Sequence, residues 1–334
     1  MTVFDSLRQS WAPRACSLVP LDLWHRLLGV ELVVPFWHTV NDHDVPHVSG
    51  LLKFRTLAQF KSDLDFFLSH YTPVSLEDVI NHLDGGVRLP QRSFLPTFDD
   101  GFREVYDLAA PILYSLGVPA AFFLNTSMID NHQLGYLQKK SLAIRSLASS
   151  ATRAVKGEIS RRLDVAGIEG ADLQSRIESI FYLQRNLLDE LGLLLGIDYD
   201  EYAASVQPYL TSGQVINLMK KGFAIGAHGV DHALYSELSL EEQLSQTRES
   251  MDFLSNHFQY ECRSFAFPYT DEGISVQFFR QAFFDGRLKV SFGTGGLGWH
   301  LFPRNLSRFT MERTDLPPEQ ILARRFGKAL FHRP

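Results

Sequence analysis

Cysteine is almost absent from this chain of 334 residues, with Cys16 and Cys262 the two it contains. That excludes a disulfide framework, and neither cysteine stands at a metal-binding spacing from the other. Positive charge is also short, with 32 Lys and Arg against 38 Asp and Glu. A net charge of -6 with no basic tract or tail argues against nucleic acid or an anionic membrane as the main partner. No uncharged apolar run approaches the roughly 18 residues needed to span a bilayer. The first thirty residues scatter Asp5, Arg8, Arg14, Asp22 and His25 among apolar ones, unlike the basic start and unbroken apolar core of a secretion signal. The expectation is a soluble, cytoplasmic protein. What the chain does have is a hydrophobic content of 45%, enough for a sizeable core. Its length suits one large α/β domain or two ordinary ones, and it carries no internal repeat.

Strand-like and helix-like stretches alternate along most of the chain. VELVVPFWH (30–38) predicts a buried strand with His38 at its carboxyl end, after a helical lead-in over 1–29 that Gly29 stops. TLAQFKSDLDFFLSHY places Leu57, Phe60, Leu64, Phe67 and Leu68 on one helix face. TPVSLEDVINHLDGG reads as a short strand, then a helix started by Ser75 with Asp78 three residues on. FLPTFDD (94–100) ends a strand and leads into a helix reaching Leu116, and PAAFFLN (119–125) is the next strand. FAIGAHG (223–229), CRSFAFPYT (262–270), LKVSFGTG (288–295) and LSRFTMER (306–313) supply the rest, with a long helix capped by Ser239 between the first two. This order implies parallel strands joined by right-handed crossovers. From about 130 to 210 strand formers thin out, and RIESIFYLQRNLLDELGLLLG is strongly helical. We expect a helical insertion over 130–207 within an α/β unit made of 30–129 and 208–334. It leaves after one strand's carboxyl end, so it should lie at the mouth of any site there.

Four strand ends carry unusual polar residues: His38, the pair Asp99 and Asp100, the pair His228 and His232, and Pro268–Tyr269. Adjacent carboxylates repel, and a plain turn more often uses one Asp or Asn. Two histidines four apart can share one metal ion. One carboxylate with two imidazoles suits a catalytic Zn²⁺ that keeps a water in its open position. A second carboxylate beside it is then free to accept that water's proton. The residues alone leave open which aspartate does which.

In order, TFDDG (97–101), HGVDH (228–232) and FAFPYT (265–270) resemble successive motifs of the polysaccharide deacetylase family, the NodB-like carbohydrate esterase family 4. PFWHTVND (35–42), YTPVSLEDV (71–79) and LTSGQVINLMKKGFAIGAHGVDH (210–232) resemble its flanking stretches. The resemblance covers about 30–130 and 208–313 and implies a distorted parallel (β/α) barrel of about seven strands. It implies Asp99 as general base and Asp100, His228 and His232 as ligands of one divalent metal, Zn²⁺ by preference with Co, Ni, Mn or Fe as alternatives. Tyr269, after Pro268, would offer its backbone N–H to an oxyanion while its side chain lines the groove. His38 would support the site, and Arg308 in LSRF would pair with the base. The chain also departs from the pattern. Ala266 stands where the family often has an arginine, with Arg263 nearby but out of place, and Thr270 replaces a common glycine. The late Leu-x-His that supplies a histidine acid has no counterpart, since His300 and His332 stand in a different context.

The activity implied is removal of an N-acetyl or other N-acyl group from a sugar in a glycan or glycan precursor, as a hydrolase of carbon–nitrogen bonds other than peptide bonds. Two alternatives stay open: hydrolysis of a non-sugar linear or cyclic amide, and a non-catalytic glycan-binding or scaffold relative. Without the family's late histidine, either His38 protonates the leaving amine, or Asp99 does so, or the protein is inactive on sugars. We expect Asp99 to do both jobs, because it already lies beside the reacting carbon once it holds the water's proton, with His38 tuning its surroundings.

Overall fold

Runs rich in Phe, Val and Leu build the sheet, and two prolines decide how it divides. The computed structural model describes residues 19–294, 302–312 and 315–331. The run 30–38 is not one strand: it breaks before Pro35 into β1 (Leu32–Val33) and β2 (Pro35–Trp37). The aspartate strand breaks likewise around Pro96. β4 (Ser93–Phe94) precedes it and β5 (Thr97–Phe98) follows. Proline has no N–H for a ladder, so pairing changes partner at each break. β1 and β4 form a small parallel sheet with β3 (Thr72–Pro73), whereas β2 and β5 enter the main one.

The main sheet adds β6 (Ala121–Leu124), β7 (Ala224–Ala227), β8 (Ser264–Ala266), β9 (Val290–Gly293), β10 (Asn305–Ser307) and β11 (Phe309–Thr310). Its order is β10-β9-β8-β7-β6-β5-β2-β11. Every pairing in it is parallel. β10 and β11 are two halves of one extended run, parted at Arg308. One half bonds to β9 and the other to β2, so this run closes the sheet into a distorted barrel. Counted as one stave, it gives the expected seven. Side chains alternate across the wall. Ala121 and Phe123 cluster with Val34, Leu95, Ala266 and Phe292 on one face, while Phe122 and Leu124 meet the outer helices through Phe60, Leu218 and Leu254.

Caps place the outer helices where the sequence predicts them. Ser75 and Asp78 form a capping box for Leu76–Leu83, as do Ser239 and Glu242 for Leu240–Phe258. The lead-in supplies the helix Leu21–Leu28, stopped at Gly29 by a left-handed backbone with φ of 65°. Between β6 and β7 run five further helices before the helix Ser212–Lys220: Tyr136–Ser149, Arg153–Val165, Leu173–Glu178, Leu187–Leu195 and Tyr199–Val206. They bury an apolar cluster of their own, including Ile144, Ile159, Leu163, Ile177 and Leu188. No helix among the described residues is long and apolar enough to cross a membrane.

Candidate active site

The turn after β5 separates two carboxylates that would otherwise repel. Asp99 N–H still bonds to Trp37 O, but Asp100 and Gly101 both take left-handed backbone, with φ of 67° and 70°. Asp100 is not a glycine, so that conformation is strained, a cost that recurs at functional turns. Gly101 is required twice over, because a Cβ there would also come within 2.9 Å of Leu124 Cδ2. Asp99 is then neutralised by Arg308, from the break between β10 and β11. Arg308 Nη1 donates to Oδ1 at 2.6 Å and Nη2 to Oδ2 at 2.8 Å. Arg308 is wholly buried, with its guanidinium over the rings of Phe36 and Phe123. Burial pushes the Asp99 carboxyl up, but the charge and hydrogen bonds of Arg308, together with His228 and His38, outweigh it and hold the group below its ordinary range.

Asp100 faces the two histidines that follow β7. Its Oδ1 lies 3.5 Å from His228 Nε2 and 3.1 Å from His232 Nε2. Asp100 and both histidines are buried, and their facing ligand atoms all lie within 4.8 Å of one another. His228 Nδ1 is 2.8 Å from Ala266 O and must donate to it, so the lone pair of neutral His228 sits on Nε2 and points at a carboxylate. Burial lowers the His228 pKa to about 4, which keeps it neutral at pH 7. Asp100 Oδ1 is itself buried with no hydrogen bond from any described residue. The Asp100 oxygen and the His228 lone pair face each other as acceptors, which fits a cation between them, and with His232 this donor set fits a divalent metal. Against burial, the charge of His232 holds Asp100 well below the usual carboxylate range.

The loop that carries both histidines is tied down on three sides. Asn125 Nδ2 donates to His228 O at 2.5 Å, and Gln246 Oε1 accepts from Val230 N–H at 2.8 Å. Asp231 accepts from Gln246 Nε2 at 2.9 Å and from the Tyr182 hydroxyl at 2.6 Å. Tyr269 has a left-handed backbone with φ of 58°, and its ring lies 4.7 Å from that of His232. Its carbonyl accepts from Thr294 Oγ1 at 2.6 Å, its hydroxyl meets that of Tyr136, and Pro268 before it is buried. His38 lies at the cleft edge with Nδ1 2.6 Å from Glu312 Oε2 and its backbone N–H 2.7 Å from Oε1. Burial disfavours the imidazolium, but the Glu312 charge and hydrogen bond prevail and raise its pKa to about 10.

These groups share a cleft of about 440 Å³ whose far wall comes from the helical segment, through Tyr136, Lys140, Ile180 and Tyr182. The segment therefore stands at the mouth of the site, on the side expected. The residues that sequence reasoning left out are Glu312, Asn125, Asp231 and the tyrosines of the segment. Arg308, Thr310 and Glu312 alternate along one run, a period-of-two signal that could have found Glu312. Arg263 pairs instead with Glu77, away from the cleft. His300 and His332 lie outside the described residues.

The chain matches the profile of the polysaccharide deacetylase family over residues 86–171 and 175–280, more than half its length. It belongs to that family, and so to the hydrolases acting on carbon–nitrogen bonds other than peptide bonds. A curated relative, the poly-β-1,6-N-acetyl-D-glucosamine N-deacetylase of Staphylococcus epidermidis, is 34% identical over 88 residues. That match covers 25% of this chain and 30% of the relative, under a third of the relative's length. Among solved structures, the deacetylase PplD of Streptococcus pyogenes in complex with acetate is similar, with a TM-score of 0.55 and 14% identity over 91% of this chain and 99% of that one. IcaB from Ammonifex degensii gives a TM-score of 0.54 and 16% identity over 88% of this chain and 97% of that one. At such identities the two structures share the fold.

Proposed function

We propose that the protein is a metal-dependent deacylase that hydrolyses the N-acetyl or other N-acyl group of a sugar in a glycan or glycan precursor. The observation that carries this reading is the arrangement of two unlike carboxylates on one cleft, Asp99 locked by Arg308 and Asp100 facing His228 and His232. A divalent ion held by Asp100, His228 and His232, with Zn²⁺ the first choice, would supply Lewis acidity toward the acyl oxygen and a more acidic water. Asp99 takes the proton of the attacking water, and Arg308 keeps it ionised and aimed for that task. The backbone N–H of Tyr269 donates to the oxygen on which negative charge grows. Asp99 then returns the proton to the leaving amine.

One observation favours a second reading of that last step. Glu312 engages His38 Nδ1, which leaves Nε2–H free to donate at the cleft edge. On this reading His38 is the acid and Asp99 the base alone. The test of the activity is acetate release from N-acetylated chito-oligosaccharides by the zinc-loaded chain, beside linear and cyclic amides without a sugar. Release from the amides alone would replace the sugar by another acyl carrier, and release from neither would leave a glycan-binding relative.

A further inference from the structure

Two acidic residues of the cleft lining, Glu178 and Glu237, have no part in the proposed reaction, and Glu178 is the exposed one. Glu237, in the short turn Tyr235–Glu237 after the histidine loop, lines the cleft with Tyr136, Tyr182 and Tyr269. Its Oε2 is buried, accepts no hydrogen bond from any described residue, and forms no ion pair with a described cation. The Lys140 ammonium feels its charge but is already committed, donating to Glu178 O at 2.9 Å and Ile180 O at 2.7 Å. The tyrosines make a continuous wall outward from the metal trio. Ring centroids lie 4.7 Å apart from His232 to Tyr269, 6.4 Å from Tyr269 to Tyr136, and 5.6 Å from Tyr136 to Tyr182. Glu237 lines the same cleft as these three rings, so its carboxylate stands beside this wall.

A buried carboxylate oxygen without a donor costs free energy that a bound cation recovers in full and a neutral hydroxyl only in part. Aromatic faces beside it add attraction for an ammonium group. We propose that Glu237 and the tyrosine wall form a subsite for the protonated amine of a 2-amino sugar next to the unit being deacylated. Glycans that are already partly deacetylated then bind better than fully acetylated ones. The ligand class rests on the sugar-deacylase reading above.

The test compares binding of fully deacetylated chitotriose with cellotriose, which carries hydroxyls where chitotriose carries ammonium groups. Calorimetry on the full zinc-loaded chain at mildly acidic pH should show the amine trimer binding at least about tenfold more tightly. Glu237→Gln should erase that preference while zinc content and the far-ultraviolet circular dichroism stay unchanged. Equal affinities in the unaltered chain, or a preference that survives Glu237→Gln, overturn the subsite. Acetate release from N-acetylated chitotriose is measured in parallel. Release without an amine preference removes the subsite alone, whereas an amine preference without release supports the subsite and removes the deacylase reading.

Discussion

The barrel and the helical segment between β6 and β7 each bury a main apolar core, share a smaller one through Phe102, Leu142 and Tyr199, and build one cleft. On the barrel, each group to which the proposal gives a chemical part stands at the carboxyl end of a stave. His38 follows β2, Asp99 and Asp100 follow β5, His228 and His232 follow β7, and Tyr269 follows β8. Buried charge and backbone hold them in place, as with Arg308 on Asp99 and the Ala266 carbonyl on His228. The segment brings aromatic rings and a lysine spent on its own carbonyls. Within the cleft the parts meet where Tyr136 reaches Tyr269 and Tyr182 reaches Asp231, and below it Ser141 and Arg145 bond to the turn over 44–50. The difference teaches a division of labour. Reacting groups need a closed sheet to fix them, whereas a wall that selects can ride on helices that bury most of their apolar side chains among themselves.

The largest effects should come from the barrel side, where the division predicts loss of metal without loss of fold. His228→Ala or His232→Ala should abolish binding of one divalent ion, read by elemental analysis after dialysis, and leave cooperative unfolding. Full occupancy in the double variant would break the assignment. Next, Asp99→Asn should keep the metal and lower turnover by roughly 10² to 10⁴, the worth of a general base. Asp100→Asn should weaken the metal itself, and equal metal loss in both variants would mean that the roles are wrong. Asp99→Asn also strips Arg308 of its partner, so urea unfolding should show a loss of about 3–5 kcal/mol. Because the folded Asp99 carboxyl is held low, this stabilisation is present above its ordinary value of about 3.9 and fades as pH falls through the folded one.

The barrel was largely legible in the sequence, and the segment's part in the site was not. TFDDG, HGVDH and FAFPYT place polar residues at the ends of apolar runs, and such local contrasts survive without a structure. The breaks at Pro35 and Pro96 follow from the missing N–H and were open to the same reading. Tyr182 is different. It sits among helix-forming residues with no motif, and its bond to Asp231 exists because the chain folds back across 49 positions. Lys140 reads as a solvated helix charge until the helix buries it against two carbonyls. Helical periodicity reports which face is apolar, but not which polar tips converge on a distant loop.

A smaller effect sharpens the division within the barrel. If Asp99 both takes and returns the proton, His38→Ala should cost less than about 10²-fold and the rate should show one limb, on the acid side. The pair with Glu312 raises His38 to about 10, so its acid form is present below that pH and is lost as pH rises through it. An alkaline limb near pH 10 that vanishes in His38→Ala would make His38 the acid. No limb from this histidine belongs near its ordinary value of about 6.5.

The smallest effect tests whether the segment does nothing but select. Asp231 stands between His228 and His232 in the chain, and its two oxygens take separate donors, Gln246 on one and the Tyr182 hydroxyl on the other. Tyr182→Phe keeps the ring, over which Arg185 sits at 4.1 Å, and removes the hydrogen bond to the histidine loop while leaving the longer Arg185–Asp231 pair at 3.9 Å. His232 holds a left-handed backbone with φ of 62°, a conformation that persists because its surroundings fix it. Loosening the loop should therefore tax the ligands before the fold. Partners that touch a ligand directly are worth about 10–100-fold in metal affinity, and Tyr182 acts one bond further out, so the loss should be about tenfold or less. Turnover at saturating metal should stay unchanged, because Asp99 and Arg308 lie on other staves. Metal affinity by chelator competition, read beside turnover at saturating zinc, separates the outcomes. Unaltered affinity would make the division clean, with the segment selecting and no more. A fall in turnover at full zinc occupancy would instead put Tyr182 among the groups that position the reacting atoms.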